Sequence, residues 1–296
     1  MYSLTLREEH VTASTGPTVR RRQLMAEIKR LREAAGMSQE AVAEQLDWHS
    51  TKLMRIETGR TSPHPNDIRL MMEVFGITDR EQIQALVKLA RDARQRGWWY
   101  SYRDVLLNRY DFFIGLESEA SSIRWFELAM IPGLLQTADY ARALMHGDSP
   151  ELGRDDVERR VEVRMTRQET LARDDRPQLW AILDESVIRR VVGGPAVMRA
   201  QLERLIADSD QSQTTIQVVP YGAGAHPGQA GPFIILGFEQ ASEPDVVYLE
   251  TVGGNLYVDK PEDARLFATA FDHLRAAALS PKSTRAMLHA AVKELR

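Results

Sequence analysis

From Val19 onward the apolar positions recur at three- and four-residue steps. Leu24, Ile28, Leu31 and Ala35 mark one face of a helix over 19–35, and Gly36 is placed to end it. Ser38 is placed to cap a second helix whose apolar face is Ala41, Val42 and Leu46. A short turn at 47–49 leads to a cap at Ser50 and a third helix, which buries Leu53 and Ile56 and ends at Gly59. Pro65 suits the first position of a fourth helix packed through Ile68, Met71, Met72 and Phe75, and the pattern from Thr78 to Glu81 predicts a capping box opening a fifth helix that runs to Arg96. Residues 1–18 show no apolar period and read as a flexible lead-in.

Beyond residue 97 the period changes. Strand-like runs at 123–128, 178–184, 215–219, 233–238, 246–252 and 256–258 are interleaved with helical patterns near 110–120, 137–146, 154–173, 195–208, 261–279 and 283–295. The last four strands lie close enough in sequence to be expected as an antiparallel meander. The expected organisation is a tail (1–18), an all-α head of five helices (19–97) and a mixed α+β body (98–296).

The chain has 296 residues, 43% hydrophobic and 27% charged, which is ordinary globular composition. No apolar run approaches the roughly 20 residues needed to cross a bilayer. Two glutamates stand where a signal peptide needs an apolar core, so a cytoplasmic location is expected. The absence of cysteine removes disulfides, thiolate catalysis and cysteine-based metal sites. The net charge of −4 is uneven. Residues 1–97 hold 16 Lys and Arg against 13 Asp and Glu, and the acidic excess lies in the body, so the head is the part suited to a polyanion.

Two short helices separated by about three residues, with a helix before and another after, have the geometry of a helix-turn-helix. Such a unit lays its second helix in the major groove and its first across the backbone. Gln39 is placed to donate to phosphate or steady a base contact, and His49, Ser50, Thr51, Lys52 and Arg55 lie away from the Leu53 and Ile56 face. Arg55 is the expected base reader, because a guanidinium bonds both acceptors of guanine. Lys52, Arg60, Arg20, Arg21 and Arg22 are expected phosphate contacts. Composition and spacing alone leave a plain five-helix bundle with a solvated charged face open as the lesser alternative.

The run Ser38-Gln39-Glu40-x-x-Ala43-x-x-Leu46, then Leu53-x-x-Ile56-Glu57-x-Gly59 and Pro63, resembles the phage-repressor type of helix-turn-helix in Xre-family transcription regulators over residues 20–77. The resemblance implies that Glu57 is structural and that Gln39, Ser50, Thr51 and Arg55 touch DNA. Asp47 stands where that family commonly has a glycine of positive φ, a region aspartate tolerates better than most residues.

In the body, Phe113-Ile-Gly-Leu-Glu-x-Glu-Ala, Ile131-Pro-Gly-Leu-Leu-Gln-Thr-Ala-Asp-Tyr-Ala, Arg164-x-x-Arg-Gln, Gly222-Ala-Gly-Ala-His-Pro-Gly and Leu274-Arg-Ala-Ala-Ala-Leu-Ser-Pro resemble the C-terminal domain of actinobacterial regulators of the WhiJ-like, antitoxin-like kind. That resemblance implies a small acidic or neutral protein partner encoded nearby, and a role in morphological development or antibiotic production. An antitoxin-like protein that neutralises the partner and autoregulates its operon is the alternative it leaves open.

Other features admit plain readings. Gly222-x-Gly224-x-x-x-Gly228 follows a strand but lacks the third glycine of a dinucleotide loop and opens no helix, so no nucleotide cofactor is expected. His226 reads as a loop residue lining a partner surface ahead of a catalytic base. Asp184 and Glu185 read as caps of a short helix ahead of acid–base catalysts. The seven histidines show no metal spacing, and no GxSxG elbow occurs, so no metal and no enzymatic activity are expected. An enzyme fused to the head would need a polar pocket with convergent carboxylates around His226. Trp98 and Trp99, in an aromatic run ending at Tyr102, either seal the joint or the core of the body, or form a hinge reporting ligand binding. With Trp125, Gln136 and His226 they are the candidate residues for a partner or small-molecule effector. The segment from Ile131 to Leu135 is core packing or an exposed apolar partner surface. A head of this size reads few base pairs, so a homodimer on a pseudo-palindromic double-stranded DNA site is expected, with the acidic body as the dimer surface.

Overall fold

The computed structural model describes residues 17–94, 97–106, 110–239, 244–251 and 254–295, in two compact units divided between Arg96 and Gly97. The lead-in before residue 17 lies outside the described residues.

The first unit is five helices: α1 (Pro17–Ala34), α2 (Gln39–Gln45), α3 (Thr51–Glu57), α4 (Pro65–Val74) and α5 (Arg80–Asp92). Leu24, Ile28, Val42, Leu53, Ile56, Ile68, Met71 and Met72 meet with Leu86, Val87 and Ala90 in one buried core. The helix ends follow local chemistry. Gly36 (φ 69°) and Gly59 (φ 68°) stop α1 and α3 in the left-handed region. A Cβ at Gly59 would also meet the Met25 sulfur at 2.6 Å, but that side chain can yield, so the left-handed backbone is what favours glycine there. Asp47 adopts φ 52° between α2 and α3, the conformation the turn demands.

Two expected caps are corrected. Ser50 has helical backbone angles and its hydroxyl does not cap; instead the Thr51 amide donates to His49 Nδ1 at 3.3 Å. Helix α5 is capped by Asp79 and not through Thr78, because the Asp79 carboxylate takes the amides of both Glu81 and Gln82.

The second unit contains, in chain order, α6 (Tyr110–Glu119), β1 (Ser122–Glu127), α7 (Ala138–Asp148), α8 (Arg154–Gln168), β2 (Gln178–Asp184), α9 (Glu185–Arg189), α10 (Pro195–Asp208) and β3 (Thr214–Val219). They are followed by β4 (Phe233–Gly237), β5 (Val246–Thr251), β6 (Gly254–Val258), α11 (Pro261–Ala277) and α12 (Pro281–Glu294). The six strands form one mixed sheet in the order β3-β2-β1-β4-β5-β6, parallel over the first three and antiparallel from β1 onward.

The expected four-strand meander is therefore corrected to three. Strand β3 follows a connection carrying α9 and α10, long enough to return the chain in the same direction, and it pairs parallel with β2 at the far edge. Its outer edge is not left open. The Leu279 amide donates to the Val218 carbonyl at 2.8 Å, and the Val218 amide donates to Thr284 Oγ1 at 3.1 Å, so the α11–α12 junction satisfies the strand.

Side chains alternate across the sheet. Phe126, Ile182, Val219, Phe233, Ile235 and Val247 pack on Phe271 and Leu274 of α11. On the other face Tyr248 stacks on Phe113 of α6, ring centroids 4.2 Å apart. Behind that stack α6 and α8 are joined by a buried ion pair. Arg167 donates through Nε and Nη2 to Glu117 at 2.8 and 2.6 Å, both side chains are 2% exposed, and the Tyr110 hydroxyl takes a further bond from Arg167. Burial by itself would lower the Arg167 pKa, but Glu117 and Tyr110 raise it, so the guanidinium stays charged.

Removing one member of such a pair strands the other in a dry interior. Glu117→Ala should lower stability by about 3–5 kcal/mol in urea denaturation, whereas the double change Glu117→Leu, Arg167→Met should recover most of that loss.

Candidate nucleic-acid interface

The orientation of α3 is set by one carboxylate. Glu57, 3% exposed at the end of α3, receives Arg32 Nε at 2.7 Å and Nη2 at 3.2 Å from α1, and Gln39 Nε2 at 2.6 Å from the start of α2. Arg32 Nη1 also donates 2.7 Å to the Met37 carbonyl in the α1–α2 turn. Helices α1 and α2 thus converge on Glu57 of α3, with Arg32 also tying in the turn, and the hydrogen bonds that Arg32 donates to Glu57 raise the Arg32 pKa. Gln39 keeps its carbonyl oxygen for another partner while its amide nitrogen anchors α3.

With Leu53 and Ile56 in the core, the opposite side of α3 is polar. His49, Ser50, Thr51 and Arg55 are exposed, and so are Thr58 and Arg60 just beyond the helix. Thr51, Arg55 and Thr58 follow at i, i+4 and i+7 and form one ridge. Thr58 escaped the sequence reading, although that spacing was its signal; its hydroxyl donates to the Met54 carbonyl at 2.7 Å.

Lys52 is differently employed. Its ammonium lies 2.8 Å from Asp67 Oδ1 and 3.7 Å from the centroid of the Trp48 ring, while Asp67 Oδ2 accepts from the His64 amide in the capping box of α4. It joins α3 to the start of α4. Arg20, Arg21 and Arg22 are half-buried on α1, with Arg20 drawn to 3.8 Å from Asp92 of α5.

In the second unit, Trp98 is exposed and stands edge-on to Trp99 and Tyr102, while the Trp99 ring folds over Gly97 so closely that a Cβ there would lie 2.2 Å from it. Arg159 of α8 pairs with Asp104 just after this aromatic turn. Trp125, Gln136 and His226, expected at a partner surface, are inside. Trp125 donates its indole N–H to Glu127 at 3.0 Å. Gln136 donates to the Ile131 carbonyl at 2.6 Å and accepts from Arg164 at 2.8 Å, so its amide is consumed in holding the loop after β1. Ile131, Leu134 and Leu135 of that loop are fully buried, which makes the segment core packing.

His226 has a 7% exposed side chain, with Nε2 3.5 Å from Asp184 Oδ2 and its ring edge-on to Phe126. The loop that carries it makes two 3-10 turns, Tyr221–Ala223 and Pro227–Ala230, and leads into β4 without opening a helix. Asp184 caps α9 through the Ser186 amide at 2.8 Å, and Glu185 accepts from the Tyr221 amide at 2.9 Å. These contacts tie β2 to the glycine-rich loop, a proximity that no sequence spacing carries.

Glu127 is the outlying charge. It is 7% exposed at the end of β1, and burial pushes its carboxyl up to about 7 from an ordinary value of 4.5, against the lowering effect of the Trp125 indole. Glu250 raises it further and Arg164 lowers it.

A family model described as a helix-turn-helix domain matches residues 23–86, and one described as a domain of unknown function, DUF5753, matches residues 110–290. The first unit is thus a DNA-binding domain of the helix-turn-helix class. The chain as a whole belongs to the DUF5753 family, whose domain takes up more than half of it. No curated protein and no solved structure matches it. Among the described residues no helix is long and apolar enough to cross a membrane.

Two outcomes follow from this geometry. Because Lys52 is spent on Asp67 and Trp48, Lys52→Ala should cost about 0.5–1 kcal/mol of stability and leave the salt dependence of DNA binding unchanged, as measured by thermal denaturation and by binding titrations across ionic strength. Because its folded-state pKa lies above the unfolded value, Glu127 contributes stability that is present below pH 4.5 and is lost as pH rises through about 7. Glu127→Gln should therefore be the more stable protein at pH 8, by about 3 kcal/mol at most, with the advantage vanishing near pH 4.

Proposed function

We propose that this chain is a sequence-specific DNA-binding transcription regulator of the WhiJ-like Xre type. It lays α3 in the major groove as one half of a homodimer on a pseudo-palindromic operator. The observation that carries the reading is the exposed ridge of Thr51, Arg55 and Thr58 on a helix whose other side is locked by Glu57, Arg32 and Gln39. A base-reading helix needs that combination of exposed polar side chains and a fixed backbone, because bidentate contacts tolerate little angular error.

In this reading Arg55 reads a guanine, and Gln39, His49, Ser50, Thr51 and Arg60 contribute base or phosphate contacts. The second unit dimerises and takes the signal, from a small protein encoded nearby or a small-molecule effector, by binding better to the DNA-free arrangement. The protein works in the cytoplasm on the nucleoid and serves development or antibiotic production. It carries out no catalysis; the buried Asp184–His226 contact is a structural link between β2 and its neighbouring loop.

The test is selection of bound fragments from genomic DNA by the full-length protein beside Arg55→Ala. Wild type should enrich a palindromic site. Arg55→Ala should lose about 1–3 kcal/mol on that site, relax one position in each half and bind random DNA nearly as well as wild type. Equal losses on specific and random DNA would remove Arg55 as a base reader, and no enrichment by the wild type would overturn the regulator reading.

A further inference from the structure

Among the buried polar atoms without a partner in the second unit, which include the Tyr248 hydroxyl, two belong to side chains of opposite charge. Glu127 Oε2 and Nε of Arg164 on α8 are shielded from solvent and have no hydrogen-bond partner of good geometry, although the Leu128 amide approaches the Glu127 carboxyl closely enough to lower its pKa. The rest of each side chain is fixed. Glu127 Oε1 is held by the Trp125 indole at 3.0 Å, and Arg164 Nη1 is held by Gln136 at 2.8 Å. The two groups interact electrostatically without forming an ion pair with each other.

Their place in the fold matters as much as their chemistry. Trp125, Ile234 and Tyr248 form one row across β1, β4 and β5, so Glu127 and Glu250, each two residues further along, stand on the same face toward the same edge. That edge is where the parallel strands β1, β2 and β3 end and where open α/β sheets bind their ligands. Protonation does not relieve Glu127, since a neutral carboxyl group still carries a donor and an acceptor that want partners. An orphaned carboxylate oxygen asks for a donor and an orphaned guanidinium nitrogen for an acceptor.

We propose that this edge of the second unit binds a small zwitterion of the α-amino-acid class, its ammonium group received by Glu127 Oε2 and its carboxylate by the Arg164 guanidinium. Trp125 and Gln136 are positioning residues that hold the two receiving groups before the ligand arrives. A bare amine would leave Arg164 unserved, and a bare carboxylate would meet Glu127 unfavourably. The site's use as the effector site rests on the regulator reading, but its occupancy does not. Binding is measured without DNA, so its failure leaves the first unit's role standing, and the reverse holds too.

The experiment is thermal denaturation of the full-length protein at neutral pH with each of the common L-amino acids at millimolar concentration, and with propylamine and propionate as half-ligands. At least one amino acid should raise Tm progressively with concentration, while neither half-ligand does. Glu127→Gln, which preserves shape and the acceptor for Trp125, should weaken that amino acid at least about tenfold, as should Arg164→Lys. If Arg164→Lys fails to fold, the isosteric Glu127→Gln decides alone. No response to any amino acid, an equal response to the half-ligands, or a response undiminished in Glu127→Gln would each overturn the proposal, leaving the two atoms to water.

Discussion

A charge taken out of water must be met by another group, and the architecture of both units follows from where that requirement is satisfied. In the first unit Glu57 is almost wholly buried, and a lone carboxylate there would cost several kcal/mol. Arg32 and Gln39 remove that cost only when α1, α2 and α3 stand at one mutual angle, so the electrostatic requirement becomes an orientational one. Apolar packing through Leu53 and Ile56 supplies the driving force but tolerates rotation of a two-turn helix; a bidentate guanidinium does not. The second unit applies the same device where Arg167 and Glu117 join α8 to α6 beneath the Phe113–Tyr248 stack.

The arginines and lysines therefore divide by employment. Arg32, Arg167 and Lys52 spend their charge inside their own unit, and Arg20 leans on Asp92. Arg55 and Arg60 are exposed beside α3. A count of basic residues in the head, the quantity composition supplies, mixes these two populations. It overstates the charge on offer to a polyanion and says nothing of where that charge stands.

Local patterns carried the helices and most strand boundaries, because apolar period, caps and glycine stops are properties of neighbouring residues. The C-terminal end of α1, the left-handed Asp47 and the extent of β2 are of that kind, whereas α1 begins at Pro17, two residues inside the expected tail. What failed was everything decided at a distance. The α5 cap is a local exception, since adjacent Thr78 and Asp79 both suit the role and the carboxylate is the one that reaches two amides. The place of β3 depends on a crossover through α10, which strand spacing does not encode. The site residues show the same division. The outward ridge of α3 was legible from a 3.6-residue period, whereas the occupation of Lys52 by Asp67, fifteen residues on, was not. Trp125, Gln136 and His226 looked available because tryptophan, glutamine and histidine are often half-exposed, and only the fold shows them enclosed. Glu127 carried no signal at all: an acidic residue closing a strand is ordinary until its surroundings are known to be dry.

The dimensions of α3 bear on how many copies must act together. Seven residues at about 1.5 Å each make a rod of about 10 Å, matching roughly three base pairs of groove. Three positions, each worth about 1–3 kcal/mol of discrimination, do not separate one operator from the millions of competing sites in a genome. A rigid helix gains nothing here from flexibility, and Glu57 forbids it to re-aim. In the proposed function the further specificity comes from a second copy at a fixed spacing, which multiplies the selectivity of one half-site by that of the other. For such a proposed pair, a signal that altered the spacing between the two heads would change operator affinity steeply without touching a single base contact. Under the proposed function, control from the second unit would need only to bias a dimer geometry and would leave α3 itself unchanged.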